Sequence, residues 1–182
     1  MAKFRCLFIG PPTIDLEPHS RAILAAGGEV TRVRDPRDLD GIIKAVADVD
    51  AAMLMAHRID PSAFKHMGNN GRCKGLVAFG HGFDALDVDA ASENGVLLAN
   101  TASFGTEEVS NHAMMLCLIC ARKFVLHDKL VKSGVWTREH LAPMGHISGQ
   151  TMGIVGVGDI GRAVGRKAKA FGMHILAYDP YV

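Results

Sequence analysis

Residues 151–182 read "TMGIVGVGDIGRAVGRKAKAFGMHILAYDPYV", and this stretch decides the fold. "TMGIV" is a short apolar strand, and it leads directly into Gly156, Gly158 and Gly161, a G-x-G-x-x-G series. The following residues are helical in pattern. Ile160, Ala163, Val164, Ala168 and Phe171 share one face, and Arg162, Arg166, Lys167 and Lys169 the other. Gly172 ends this helix, "MHILAY" is a second strand, and Asp179 closes it, 18 residues beyond Gly161. Strand, glycines, helix and acid in that register are the opening β-α-β of a dinucleotide-binding (Rossmann) fold.

Each residue has a physical task in that reading. Gly156 permits the tight turn, Gly158 lets backbone approach a pyrophosphate, and Gly161 lets helix and strand pack closely. The helix start offers unpaired N–H groups and partial positive charge to phosphates. Asp179 can accept hydrogen bonds from both ribose hydroxyls and would repel a 2′-phosphate. Pro180 and Tyr181 follow it, with no Arg, so NAD is expected over NADP. A tight strand–turn–helix joint with no ligand is the competing reading of the same glycines.

Upstream, strands alternate with helical stretches between residues 4 and 99. "FRCLFI", "EVTRV", "AAMLM", "GLVAF" and "VLLA" are separated by "EPHSRAILAA", "DLDGIIKAVADV", "PSAFKHM" and "DVDAASEN". Alternation of this kind implies parallel pairing with helices on both faces. Five such strands give a flavodoxin-like layout able to bury its own core. Residues 106–132 contain neither Pro nor Gly and predict one continuous helix capped by Thr106. At 1.5 Å per residue it would run about 40 Å, long enough to link two domains. Its predicted apolar stripe is Val109, Ala113, Leu116, Cys120 and Phe124, and Gly134 is its predicted stop. The domain boundary falls near residues 100–102.

Composition narrows the classes. With 48% hydrophobic and 21% charged residues a packed globular core is expected. The formal net charge is +1 with no basic stripe, which argues against nucleic acid as a partner. Apolar runs such as "CLFIG" are far shorter than the ~20 residues a membrane span needs. The run after Lys3 and Arg5 stops at "GPP", so it fails as a signal peptide, and a cytoplasmic location without a membrane is expected. Of the four cysteines, Cys117 and Cys120 form C-x-x-C, but in mid-helix, so buried free thiols are expected rather than a redox pair. No metal-ligand cluster is visible.

Three blocks together resemble the D-2-hydroxyacid dehydrogenase family, which includes phosphoglycerate dehydrogenases, glyoxylate/hydroxypyruvate reductases and the C-terminal-binding-protein corepressors. "LVAFGHGFDALDVDAASENGVLLAN" is similar to its substrate-loop block, "EEVSNHAMMLCLICARK" to its interdomain helix, and "GIVGVGDIGRAVGRKAKAFGMHILAYDPYV" to its cofactor fingerprint. The resemblance implies a substrate domain over residues 1–101, without the family's returning C-terminal helix. It implies an interdomain helix and the start of a truncated NAD-binding domain over 102–182. It further implies that Gly80-His81-Gly82-Phe83-Asp84 is the loop that binds a substrate carboxylate through backbone N–H groups. There His81 and Gly82 meet substrate and His81 also neighbours the nicotinamide. From the residues alone, Gly80 and Gly82 read rather as a simple strand-to-helix turn. Pyrophosphate contacts carry over to Gly158, Asp159, Ile160 and Gly161, and the ribose contact to Asp179.

The implied reaction moves hydride between NAD and a small 2-hydroxy or 2-oxo acid, in an enzyme that is a homodimer when complete. The family's catalytic Arg, Glu and His lie beyond the second Rossmann strand, so the resemblance implies no catalytic residue within this chain and no turnover by it alone. Arg122, Arg138 and His140 are present, without a spacing that makes them substitutes. Three departures stand out: Asp159 where Arg or another polar residue is common, Asn111 where Glu is usual, and Ala78 where a basic residue often precedes the loop. A non-catalytic NAD-responsive interaction protein of the corepressor kind, or an inert fragment, are the alternatives.

Overall fold

The computed structural model describes residues 2–55, 58–139 and 143–182, so His140 lies outside the described residues. The chain divides into two compact units, Met1–Phe104 and Gly105–Val182.

The first unit is built on five parallel strands: β1 (Phe4–Ile9), β2 (Gly28–Arg32), β3 (Ala51–Leu54), β4 (Gly75–Ala78) and β5 (Leu97–Asn100). Their order is β2-β1-β3-β4-β5, the flavodoxin-like arrangement expected from the alternating pattern. Register runs Cys6 beside Val30 and Ala51, and Met53 beside Val77. Period-2 alternation sorts the apolar side chains. Leu7, Ile9, Ala52, Leu54 and Leu76 join the larger core cluster, with Phe64 and Met67. Cys6, Phe8 and Met53 form a smaller one on the opposite face.

Helix α1 (Glu17–Ala25) contributes Ile23 to the smaller cluster, and α2 (Leu39–Ala47) contributes Ile42 and Val46 to the larger. Local chemistry sets their starts. The Asp38 carboxylate accepts the Gly41 N–H at 3.0 Å to cap α2, and Asp87 accepts the Ala90 N–H at 2.9 Å to cap α3 (Val88–Glu93). "PSAFKHM" forms a 3₁₀ helix over Pro61–His66, with Pro61 in its first turn and Asp60 accepting the Ser62 N–H at 2.9 Å.

The second unit holds α4 (Thr106–Ala121), α5 (Phe124–Lys132), β6 (Thr151–Val155), α6 (Asp159–Ala170) and β7 (His174–Tyr178). Strands β6 and β7 pair in parallel, Thr151 beside His174 through Val155 beside Tyr178. The predicted single helix over 106–132 is broken. Lys123 sits in the left-handed region at φ 49, and α5 departs from α4 at 62°. No helix-breaking residue marks the place, so the pattern gave no sign of it. Gly134 does end α5, at φ +77 with its N–H on the Val131 carbonyl.

Two further expectations about α4 are corrected. Gly105, not Thr106, is the N-cap, and the Thr106 hydroxyl is buried without a hydrogen-bond partner among the described residues. The buried face is Ser110 and Met114, whereas Val109, Leu116, Cys120 and Phe124 of the predicted stripe are exposed. The reason is α6, which packs on α4. Its Gly165, Ala163 and Ala168 are buried, and such small residues let a partner helix come close. Lys167, assigned by pattern to the solvent face, instead donates from Nζ to the Ser110 hydroxyl and to Glu107 Oε2 (2.8 Å). The Lys167 pair pulls the Glu107 carboxyl below the usual carboxylate range. The cysteine expectation also changes. Cys120 is exposed and Cys117 half-buried, while the buried free thiols are Cys6 and Cys73. Burial pushes the Cys73 thiol up to about 11, so it stays protonated and inert.

Among the described residues no single helix is long and apolar enough to cross a membrane. Nor do three His, Cys, Asp or Glu side chains gather there as a metal site would require.

Candidate functional site

In the second unit the glycine series becomes a compact loop between β6 and α6. Gly156 adopts φ +92, a backbone conformation costly for any residue with a Cβ, and its N–H donates to the Tyr178 carbonyl at 2.8 Å. A Cβ at Gly158 would meet nothing within 4 Å, so that position is open to an approaching ligand. A Cβ at Gly161 would overlap the Gly156 carbonyl oxygen. The glycine there is demanded by the loop folding back on the helix start.

Helix α6 begins at Asp159 with Gly158 as its N-cap and no side-chain cap. The N–H groups of Gly158, Asp159, Ile160 and Gly161 donate to no protein atom among the described residues. Unspent donors on a helix start are the kind of arrangement that receives an anion in dinucleotide-binding proteins. Asp159 is exposed and forms no ion pair among the described residues, and Ile160 is half-buried.

Asp179 follows β7 and reaches across to this loop. Its Oδ2 accepts the Val157 N–H at 2.6 Å, and its Oδ1 accepts the Tyr181 N–H at 2.9 Å. These amides, Val157 first, hold the carboxyl below the usual carboxylate range, with the charge of Arg162 assisting. The structure thus brings Gly156, Gly158, Asp159, Ile160, Gly161 and Asp179 to one end of the β6–β7 pair.

His81 and Gly82 belong to the first unit and sit on the loop that leaves β4. Gly80 adopts φ +141, where glycine is needed for its conformation, since a Cβ there would have space. Three bonds tie the loop to the end of β5. The Gly80 N–H donates to Thr101 Oγ1 (2.8 Å), the Thr101 N–H to the Gly80 carbonyl (3.1 Å), and Asn100 Nδ2 to the His81 carbonyl (2.7 Å). His81 and Gly82 are exposed, and their N–H groups donate to no protein atom among the described residues. The Gly80 amide is therefore spent on the scaffold, and the next two are the ones left for an anion.

Beside this loop lies a cavity of about 360 Å³ bounded by Leu54, Phe79, Gly82, Phe83 and Leu86. Arg58 is the one charged residue in its lining among the described residues, and a second cavity of about 670 Å³ shares it. Arg58 was passed over in the sequence. The signal that could have found it is position, because it closely follows β3, at the carboxyl end of the sheet where open α/β sheets bind ligands.

Comparison with known proteins gives a family match to part of the second unit and relatives that span both. Residues 114–182 match the family model for the D-isomer specific 2-hydroxyacid dehydrogenase, NAD binding domain. A glyoxylate reductase from Pyrococcus furiosus is 39% identical over 144 residues, covering 75% of this chain and 42% of that protein. A D-3-phosphoglycerate dehydrogenase from Mycobacterium leprae is 31% identical over 175 residues, covering 94% of this chain and 32% of that protein. The solved glyoxylate reductase from Paecilomyes thermophila superposes with a TM-score of 0.80 at 24% identity, over 98% of this chain and 56% of that one. The chain spans less than half the length of these two curated relatives.

Proposed function

We propose, from the premise that this chain belongs to the D-2-hydroxyacid dehydrogenase family, that it carries the substrate loop and the cofactor-binding start of an NAD-dependent oxidoreductase acting on a small 2-hydroxy or 2-oxo acid. Residues 1–101 are then the substrate domain, and residues 102–182 the interdomain helix and the first part of the NAD-binding domain. NAD is the cofactor, and when bound it supplies or accepts the hydride at C2 of the acid.

This chain's own residues bind and orient. The N–H groups of Gly158, Asp159, Ile160 and Gly161 receive the pyrophosphate, and Asp179 the adenosine ribose hydroxyls. The free N–H groups of His81 and Gly82 receive the substrate carboxylate, with His81 also beside the nicotinamide. The acid's own side chain would enter the 360 Å³ cavity, with Arg58 in its wall. No residue of 1–182 is assigned as the acid–base group, so these residues alone are not expected to turn over substrate. The working enzyme is read as a cytoplasmic homodimer. A corepressor-like interaction role is not favoured, because the curated relatives named above carry dehydrogenase and reductase names.

The observation that carries the reading is the row of four unspent N–H groups beside an ionised Asp179. Calorimetric titration tests it. Wild type should bind NAD more tightly than NADP, and Asp179→Ala should weaken NAD by ~10-fold or more with less effect on NADP, the cost of charge-assisted hydrogen bonds. Equal affinity of the wild type for both cofactors would refute the role given to that carboxylate.

A further inference from the structure

The acid that ends the second strand is commonly read as a ligand group waiting for a ribose. Here its carboxylate is engaged by the protein's own backbone. Oδ2 holds the N–H of Val157, the residue between Gly156 and Gly158, and Oδ1 holds the N–H of Tyr181. Next to it, the Gly156 N–H is held by the carbonyl of Tyr178. Two consecutive loop amides are thus pinned by two consecutive residues at the end of β7. Backbone tied in this way cannot swing freely about Gly156, a glycine at φ +92 whose lack of a Cβ would otherwise leave it wide conformational freedom.

The pinning also sorts the donors. Val157 N–H is spent on Asp179, and the unspent set starts at Gly158 and runs into the first turn of α6. An ionised carboxylate offers about four lone-pair directions, of which the protein uses two, so two remain for a ribose diol. Nothing obliges the residue to choose between the tasks.

We infer that Asp179 is a positioning residue for the glycine loop, fixing the pyrophosphate donors through Val157 independently of its contact with ribose. This rests on the cofactor reading above and deepens it. Ribose selection and pyrophosphate geometry become one device. A neutral residue at 179, introduced to admit a 2′-phosphate, would release the Val157 amide and loosen the phosphate site as well.

The test uses the full 182-residue chain and two nucleotides, ADP and 2′,3′-dideoxy-ADP, the latter without ribose hydroxyls. A contact limited to ribose predicts that Asp179→Ala leaves the dideoxy nucleotide unaffected. The positioning role predicts a loss of ~10-fold or more for both, a charge-assisted hydrogen bond being worth about that much. In the ligand-free protein, Val157 amide exchange should rise at least tenfold relative to the Phe171 amide at the far end of α6. Asp179→Asn keeps one acceptor oxygen and should fall between wild type and Ala in both readouts, which separates the effect from loss of fold. Unchanged Val157 exchange, or equal binding of the dideoxy nucleotide by wild type and Asp179→Ala, overturns the inference. If wild type binds neither nucleotide, the cofactor reading fails by itself, and Val157 exchange still decides whether Asp179 holds the loop.

Discussion

The two units use the same strand–helix–strand grammar, yet their strands end in different environments. Strand β1 has β2 and β3 as neighbours, and Phe8 and Ile9 are fully buried on opposite faces. Strand β6 also carries apolar residues, Met152, Ile154 and Val155, but among the described residues it pairs only with β7, and Val155 is 86% exposed. Leu176 and Tyr178 of β7 are likewise exposed. Parallel strands are normally covered on both faces, so an apolar strand states what it needs rather than what it has. In the first unit both sheet faces carry an apolar cluster, and in the second α6 packs on one face of β6 and β7.

The largest expected consequence is in hydrogen exchange. Residues 4–99 should exchange ~1000-fold more slowly than residues 151–182, a difference of about 4 kcal/mol in opening free energy. A two-stranded sheet is marginal by itself, and its free edges invite other strands. Equal protection of both segments in a monomer would show that β6 and β7 are held by contacts not described above.

Glycine substitutions sharpen the contrast next. Gly68 in the first unit has φ +54, and a Cβ there would overlap the Asn94 carbonyl. Gly68→Ala should lower the first unit's stability by about 3 kcal/mol in denaturant titration. Gly161→Ala should cost the second unit as much locally and abolish measurable NAD binding, whereas Gly158→Ala should leave the fold intact and weaken NAD ~10-fold. A Gly161→Ala protein that binds NAD normally would break the account of the loop.

Core truncations come third. Leu76→Ala, at a fully buried position, should cost about 3 kcal/mol. Ile154→Ala, at a half-buried one, should cost about 1 kcal/mol, read from exchange of neighbouring amides. Similar costs at both would mean that the second unit is packed as tightly as the first.

The smallest effect is on acid titration. In the first unit Asp50 lies below its usual range through the Arg72 guanidinium and the Arg5 amide, and in the second Asp179 does so through Val157 and Tyr181. A depressed carboxyl stabilises the fold above its ordinary value of about 4 and loses that contribution as pH falls through the lowered one. Carboxyl chemical shifts should therefore titrate with midpoints below 4 for both, and the Val157 amide should loosen only in that acid window. A midpoint at or above 4 for Asp179 would mean that the bond to Val157 is not kept in solution.

Legibility in the sequence differed by element. The five strands of the first unit were visible because each is a short apolar run between turn residues, and parallel order follows from alternation with helices. The β6–α6–β7 unit was visible because its glycines and terminal acid occur at fixed offsets. The break at Lys123 was not, since residues 106–132 contain no breaker and the left-handed residue is a lysine. Nor was the buried face of α4. Both Val109–Leu116 and Ser110–Met114 lie on helical spacing, and the choice between them depended on which one α6 covers. Asp179 was legible as the acid that closes β7, but its grip on Val157 joins positions 22 apart and has no local signature.

By itself, then, the sequence determined the strands and helices of the β-α-β series, the parallel order of the first sheet and the place of the glycine loop. These follow from periodicity, turn chemistry and glycine spacing, all properties of neighbours in the chain. Tertiary structure alone decided which face of α4 is buried, that Lys167 turns inward to Ser110, that Cys120 is exposed, and which loop amides stay free for an anion. Those outcomes depend on groups brought together from distant parts of the chain. There burial and hydrogen-bond pairing select among faces that local pattern leaves equivalent.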